Sequence, residues 1–159
     1  SKDTDTRAYA DPQAIVSALS DERLQLCASM QLDHGLRIAD ATKIDVKNLS
    51  AEGILTVPNS KNGQTLTVQL SPENAQKIRD LVDDNGKINI QQSVYRSALE
   101  KACISTGQTF SGTHGLRHNY AQNRMNDLVD QGKDYHAALQ IVSDEMGHHR
   151  PDITATYLR

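Results

Sequence analysis

The spacing of apolar residues changes from a helical to a strand period and back along this 159-residue chain, which limits the folds open to it. Up to about residue 44, apolar side chains recur every three or four residues, as in amphipathic helices. They form a short β-type run over residues 54–57 and alternate over 66–70, with the hairpin-turn signal Asn62-Gly63 between the two runs. Helical spacing returns from residue 71. The pattern predicts a mostly α fold with one small antiparallel β-sheet, an α+β class.

Polar residues mark the starts of several predicted helices. Asp11 before Pro12, Asp21, and Ser71 before Pro72 are typical N-caps, two of them followed by a first-turn proline. The segment after residue 35 keeps helical spacing, so the chain is predicted to open with helices alone, through residue 44. Further helices are expected over residues 90–106, 113–128, 134–146 and 152–158.

Length and composition indicate one domain outside a membrane. A chain of this length buries roughly 68–70% of its unfolded surface in one unit, and no apolar run approaches the ~20 residues of a membrane span. The polar first residues contain no secretory signal. Residues 1–10 are expected to form a disordered lead or linker remnant, and residues 11–159 a single domain. Cys27 and Cys103 are predicted to be buried, reduced thiols, which fits a cytoplasmic location.

The overall charge gives no support to general nucleic-acid affinity. The net charge is −3, from seventeen basic and twenty acidic residues. Lys and Arg supply most non-specific affinity for phosphate backbones, so an acidic chain binds them poorly as a whole. Any contact with DNA must therefore depend on a local basic site.

Each side chain suited to chemistry has an ordinary alternative role when it is taken alone. Arg37 fits a solvated or ion-paired arginine, and Lys61 fits a turn lysine beside Asn-Gly. His114 and Arg117 lie three residues apart on a predicted helix, so both can reach one anion. The alternative is a histidine that only caps or packs, with Arg117 in solvent. Tyr157, near the end of an apolar segment, fits a packing tyrosine.

The adjacent His148 and His149 raise the question of a metal site. Neighbouring residues on a helix point in different directions, and no Asp or Glu at ligand spacing completes a set. Metal binding is therefore a minor option. His149 is interpreted first as a helix-end histidine and second as a phosphate contact.

The order of these segments resembles the tyrosine recombinase, or phage integrase, family. The runs GLRIADATKID, SKNG, THGLRHNYAQNR and MGHHRPDITATYLR resemble the conserved boxes of that family in the same order. Tyr157 follows His148 by nine residues, as the nucleophile follows the second catalytic histidine in the family. The resemblance spans about residues 24–159, and it implies the fold of a tyrosine-recombinase catalytic domain. The short HxxR core can occur by chance, so the specificity lies in the combination.

The resemblance also implies residue roles. Arg37 and Arg117 would clamp the scissile phosphate, and Tyr157 would attack it. Asp40, three residues after Arg37, would orient that arginine through charge-assisted hydrogen bonds. The implied catalytic set is Arg37, Lys61, His114, Arg117, His148 and Tyr157.

The chemistry of phosphodiester cleavage fits these residue types. Arginine neutralises charge on the non-bridging oxygens through its rigid fork of donors. A phenol with a pKa near 10 needs a base and a positive field to react at neutral pH. His114 is the candidate base, Lys61 the candidate acid for the departing 5′ oxygen, and His148 a hydrogen-bond donor to the phosphate. The resulting 3′-phosphotyrosyl intermediate conserves bond energy, so no metal, ATP or other cofactor is expected.

The resemblance further implies partners and origin. Double-stranded DNA is the expected partner, with self-association on DNA, in a bacterial or phage mobile element. Family members usually have a helical DNA-clamping domain before the catalytic domain and a tail after the tyrosine, so this chain is expected to be an excised fragment. Without a tail, the last helix is expected to be loosely anchored, with Tyr157 away from Arg37 and Arg117 in the absence of DNA.

Two other functions remain open from the sequence. Type IB topoisomerases use similar chemistry to relax DNA, although the short distance from His148 to Tyr157 favours a recombinase. A DNA-binding or excision-regulating module that has lost its chemistry is the non-enzymatic alternative. All six expected catalytic positions are filled, which argues against that alternative.

Overall fold

The computed structural model describes residues 7–58, 63–148 and 154–158. Its helices are α1 (Pro12–Ala18), α2 (Glu22–His34), α3 (Ile38–Ala41), α4 (Pro72–Leu81), α5 (Gln92–Ser105), α6 (Gly115–Asp130) and α7 (Tyr135–Glu145). Its strands are β1 (Lys43–Asp45), β2 (Ile54–Val57), β3 (Leu66–Gln69) and β4 (Lys87–Asn89). Two 3₁₀ turns span Val46–Asn48 and Thr156–Leu158. The predicted mostly α class with small antiparallel pairing is confirmed.

The capping signals identify the helix starts correctly. The Asp11 carboxylate accepts a hydrogen bond from the Ala14 N–H at 3.2 Å. The Asp21 carboxylate accepts from the Arg23 N–H at 2.7 Å, and the Ser71 hydroxyl accepts from the Asn74 N–H at 3.1 Å. Each bond satisfies a donor that the first turn of a helix leaves without an intrahelical partner. The predicted helices over 90–106, 113–128 and 134–146 match α5, α6 and α7, with ends displaced by two residues at most.

The first part of the chain is not all helical, and the strands form two sheets rather than one. Ile44 lies in β1, which pairs antiparallel with β4, so that Ile44 faces Ile88. β2 and β3 form the predicted hairpin as a separate two-stranded sheet, with Leu55 opposite Val68. The turn of that hairpin, residues 59–62, lies outside the described residues. Pairing with a distant strand overrides the helical spacing that predicted a helix through residue 44.

Apolar side chains of the described residues form two clusters, and α2 packs on α6. The larger one lies among α1, α2, α4, α5 and the two sheets, and includes Cys27 and Cys103. Both thiols are buried and free, as predicted, and burial raises the pKa of Cys27 to about 12. The smaller cluster joins α6 to α7, and Tyr157 and Leu158 pack against it. None of the described helices has the length and apolar character that a bilayer span requires.

Residues 7–10, which we call the N-terminal strap, are packed against α6. The Tyr9 N–H donates to the Asn119 side-chain oxygen at 2.9 Å, and the Asn119 amide donates back to the Tyr9 carbonyl at 2.9 Å. The Tyr9 hydroxyl donates to the Gly112 carbonyl, also at 2.9 Å. The hydrogen bonds of Tyr9 to Asn119 and Gly112 hold residues 7–10 of the expected lead against the rest of the domain.

Candidate active site

The end of α2 positions two of the predicted catalytic residues, Arg37 and Arg117. The helix ends at Gly35, whose φ of 70° and ψ of 21° are left-handed. The Gly35 carbonyl accepts a hydrogen bond from Arg117 Nε at 2.7 Å. A Cβ atom at this position would lie 2.6 Å from the Tyr120 ring. Only glycine satisfies both the backbone angle and the close approach, and its carbonyl brings Arg117 next to the loop that leads to Arg37.

Buried hydrogen bonds also fix that loop from the core. The Gln31 amide donates to the Leu36 carbonyl at 3.1 Å, and the Tyr95 hydroxyl donates to the Gln31 oxygen at 2.8 Å. Both side chains are fully buried. Polar groups in such surroundings are costly unless they are paired, so this chain of bonds holds the residue before Arg37 in one place.

Arg117 is a buried cation with a donor to spare. Its side chain is 1% exposed. Nε donates to Gly35 and Nη1 donates to the Tyr157 hydroxyl at 3.0 Å, whereas Nη2 has no hydrogen-bond acceptor among the described residues. Burial lowers the pKa of Arg117 to about 10, which leaves it charged at neutral pH. A buried positive charge with an unmatched donor is suited to bind an anion.

Arg37 supplies a second positive charge nearby. It is the N-cap of α3, is half-buried, and has its guanidinium next to Gly147. Its charge contributes to the lowered pKa of Arg117. Burial raises the pKa of Asp40, although the charges of Arg37 and Arg117 oppose that effect. The carboxyl group therefore lies within the electrostatic reach of both arginines, and its role in orienting Arg37 stays a prediction.

Tyr157 lies inside this pocket. Its ring centroid is 4.6 Å from that of His118, 5.3 Å from that of His148 and 6.4 Å from that of His114. The Arg117 guanidinium carbon is 5.0 Å from the centre of the Tyr157 ring, within cation–π distance. The expectation that Tyr157 sits away from the arginines without DNA is wrong, because ring packing and the Arg117 hydrogen bond hold it there.

His148 is fixed from two sides. Its ring is 5% exposed, and its Nδ1 shares a 2.8 Å hydrogen bond with the Thr154 hydroxyl. The Ser143 hydroxyl donates to the His148 carbonyl at 2.8 Å. These bonds tie the residue to the end of α7 and to the segment that leads to Tyr157. The predicted helix over 152–158 is described only from residue 154, where a short helical turn runs into the 3₁₀ turn Thr156–Leu158.

An ion pair joins α6 to α7 beneath this region. Arg124 donates from Nε and Nη2 to the two oxygens of Glu145, at 2.8 and 3.0 Å. The Tyr120 hydroxyl donates to the same carboxylate at 3.0 Å. A two-pronged arginine–carboxylate pair is geometrically specific, so it fixes the end of α7, two residues before Gly147.

The structure brings together five of the six predicted catalytic residues: Arg37, His114, Arg117, His148 and Tyr157. Lys61 and His149 lie outside the described residues. Within the described part of the chain, no group of three or more His, Cys, Asp or Glu side chains is arranged to hold a metal ion.

Sequence reasoning missed His118, whose ring is the nearest of the three histidine rings to Tyr157. It is 6% exposed, and its pKa is lowered to about 4 by burial, with further contributions from the charges of Arg7 and His114. The signal that could have found it is its spacing of four from His114, which places the two histidines on one face of α6.

Solved structures of known proteins have a similar fold. The structure is similar to XerA recombinase, with a TM-score of 0.75 and 17% identity over 98% of this chain and 61% of that chain. It is similar to the catalytic domain of bacteriophage HP1 integrase, with a TM-score of 0.69 and 20% identity over 92% and 82% of the two chains. A lambda integrase dimer bound to a COC′ core site gives a TM-score of 0.77 and 16% identity over 97% and 48%. These likenesses show the fold of tyrosine-recombinase catalytic domains.

The sequence places the chain in the same family. The model of the Phage integrase family matches residues 10–159. The chain therefore belongs to the phage integrase family. It spans about three fifths of the length of XerA recombinase. No curated protein matches it.

Proposed function

We propose that this chain is the catalytic domain of a site-specific DNA recombinase that uses Tyr157 as its nucleophile. The proposal rests mainly on one observation: Arg117, almost fully buried, donates to the Tyr157 hydroxyl at 3.0 Å and keeps a second donor that no described residue accepts. A phosphate oxygen bound to that donor would lie beside the attacking hydroxyl. Arg37 adds charge on the same anion, as preorganised electrostatic stabilisation requires.

The step that we propose is an in-line displacement at phosphorus. The Tyr157 oxygen forms a bond to the scissile phosphorus, the bond to the 5′ oxygen breaks, and that oxygen takes up a proton. His114 accepts the phenol proton, Lys61 supplies the proton to the leaving oxygen, and His148 donates a hydrogen bond to the phosphate. Attack of a second DNA 5′ hydroxyl on the 3′-phosphotyrosyl bond then completes strand exchange without metal or ATP.

The proposed partners follow from the same chemistry. The substrate is double-stranded DNA, and strand exchange needs at least two protein copies on two duplexes. The lambda integrase structure that this fold resembles is a dimer bound to a core site, which supports self-association on DNA as part of the proposal.

Covalent capture tests the proposal. The chain is mixed with nicked suicide duplexes that have a randomised core, and adducts stable to detergent are isolated and mapped by mass spectrometry. We expect a phosphotyrosyl group on Tyr157 and no adduct from Tyr157→Phe. Tyr135→Phe, which removes the hydroxyl of an exposed tyrosine on α7, should react like the wild type.

Two outcomes would contradict the proposal. An adduct on another residue, or equal adduct formation by Tyr157→Phe, would remove Tyr157 as the nucleophile. Relaxation of supercoiled plasmid without preference for a core and without joining to a second duplex would indicate a type IB topoisomerase instead.

A further inference from the structure

We propose that His118 is a positioning residue that seats Tyr157 in the pocket formed by Arg117, by packing its imidazole ring against the phenol ring. The inference rests on the proposed function only in taking Tyr157 as the nucleophile. The contact itself is a property of the DNA-free chain.

The helix geometry places His118 at the centre of the site. His114, Arg117 and His118 have the i, i+3, i+4 spacing that puts three side chains on one face of α6. The His118 and Tyr157 rings are tilted by 40°, with centroids 4.6 Å apart, a distance at which aromatic rings attract each other. Because His118 is buried, its ring is held in place and forms a packing surface for the Tyr157 ring.

The segment that contains Tyr157 depends on tertiary contacts to hold its position. Thr156–Leu158 is a single 3₁₀ turn, and one turn is not stable by itself. Its position therefore depends on contacts with α6 and α7. The Arg117 hydrogen bond holds the phenol oxygen, but the ring and the main chain need further contacts. His118 supplies both, because the Tyr157 backbone also interacts with the His118 imidazole.

The charges around His118 argue against a role in proton transfer at neutral pH. The groups that act on it are Arg7 of the N-terminal strap, His114 and Arg117 at the start of α6, and Tyr157, whose ring also contacts His148. Burial, with smaller contributions from Arg7, His114 and Arg117, lowers the pKa of the His118 imidazole to about 4, so the ring is uncharged at neutral pH. Its Nδ1 has no hydrogen-bond partner among the described residues, so this side chain contributes its packing on the phenol ring and its interaction with the Tyr157 backbone.

NMR of the DNA-free chain with ¹³C-labelled tyrosine tests the inference. The chain has five tyrosines, and Tyr157→Phe identifies the signal of Tyr157. We expect His118→Ala to move that signal to the position of free tyrosine and to leave the other signals in place. His118→Phe, which keeps an aromatic packing surface, should retain a ring-current-shifted signal.

His136→Ala is the matched control. His136 is an exposed histidine on α7, and its ring lies 6.1 Å from that of Tyr135. This variant should change the Tyr135 signal and leave the Tyr157 signal where it is. An unchanged Tyr157 signal in His118→Ala would overturn the inference.

A second pair of variants keeps the test decisive if the alanine variant unfolds. His118→Leu keeps apolar volume without a ring, and His118→Phe keeps a ring. Displacement of Tyr157 in the leucine variant alone supports the inference, and identical Tyr157 signals in the two variants overturn it.

Kinetics then separate this inference from the proposed function. With the suicide duplexes, His118→Ala should form the covalent adduct about 10- to 100-fold more slowly than the wild type, because small misplacements of reacting groups have effects of that size. DNA affinity should stay the same, and His118→Phe should recover most of the rate. If the wild type forms no adduct, the proposed function fails, and the NMR result still decides whether His118 seats Tyr157.

Discussion

Helices α5 and α6 are of similar length, yet the first two turns of α6 bury polar and charged side chains where α5 buries mainly apolar ones. The buried residues of α5 are Tyr95, Leu99, Ala102 and Cys103, so its inward face is almost entirely apolar. The first two turns of α6 instead bury Arg117, His118 and Asn119 beside Leu116 and Tyr120. Full burial of a large apolar side chain stabilises a fold by about 1.5–3 kcal/mol, whereas burial of a charge is unfavourable unless it is paired. The comparison indicates that the buried face of α5 stabilises the fold and that the start of α6 is suited to bind an anion.

The largest effect should come from weakening α5. Leu99 is fully buried in the larger cluster, and Leu99→Ala should lower the free energy of unfolding by about 2–5 kcal/mol through lost burial and a cavity. Urea denaturation gives the value. In folded protein, the Tyr157 NMR signal should not change. A loss below about 1 kcal/mol, or a displaced Tyr157, would contradict the conclusion that α5 stabilises the fold and does not position Tyr157.

A smaller but still large effect should come from Gly35, which supports α6 from the end of α2. Gly35→Ala puts a Cβ against the Tyr120 ring and leaves a non-glycine residue at a φ of 70°. Strain and crowding together should lower the free energy of unfolding by about 2 kcal/mol or more.

Gly63→Ala is the control for backbone strain alone, since Gly63 also has a positive φ but has no atom within 4 Å of a built Cβ. Equal losses in the two variants, measured by urea denaturation, would show that the contact with Tyr120 has no part in the effect.

The next largest effect should be a loss of stability at low pH caused by the lowered pKa of His118. Its pKa is lowered from 6.5 to about 4 in the folded chain, so the folded state favours the neutral ring. That contribution is fully present above pH 6.5 and is lost as the pH falls toward 4, because the unfolded state then binds a proton more readily. Wild type should lose about 1–3 kcal/mol more than His118→Phe between pH 7 and 4.

His136→Phe removes an exposed histidine and should follow the wild-type profile. Parallel profiles for wild type and His118→Phe would mean that His118 is not held neutral in the folded chain.

The smallest effect should be the binding of a simple anion at the start of α6. Inorganic phosphate at ten times its dissociation constant should raise the free energy of unfolding by about 1.4 kcal/mol, relative to chloride at the same ionic strength. Arg117→Met should abolish this gain. Arg96→Met removes an exposed arginine from α5 and should keep it. Equal responses of the two variants would place the anion elsewhere.

The sequence predicts the long helices and the hairpin because their signals are local. Caps at Asp11, Asp21 and Ser71, and alternation in β2 and β3, act within a few residues. β1 and β4 have three residues each, too few to show a period, and their pairing joins segments more than forty residues apart. Ile44 even continues a helical pattern, so only tertiary pairing reveals its strand.

The candidate site could be predicted to the extent that its residues occur in a recognisable order. The order of motifs named Arg37, His114, Arg117, His148 and Tyr157, and the structure brings them together. The sequence alone could not predict the contact of His118 with Tyr157, which joins two elements, or the position of Tyr157 in the pocket. Both depend on packing between α6 and a short turn, for which no local pattern exists.

The pairing of Tyr9 with Asn119 links the N-terminal strap directly to α6. Asn119 directly follows His118, and its two hydrogen bonds to Tyr9 join the N-terminal strap to the start of α6. Tension applied at Arg7 would be transmitted to the helix that presents Arg117 and His118 before it reached α1. The orientation of these two side chains, and with them the aim of Tyr157, would then respond to force on the first residues of the domain.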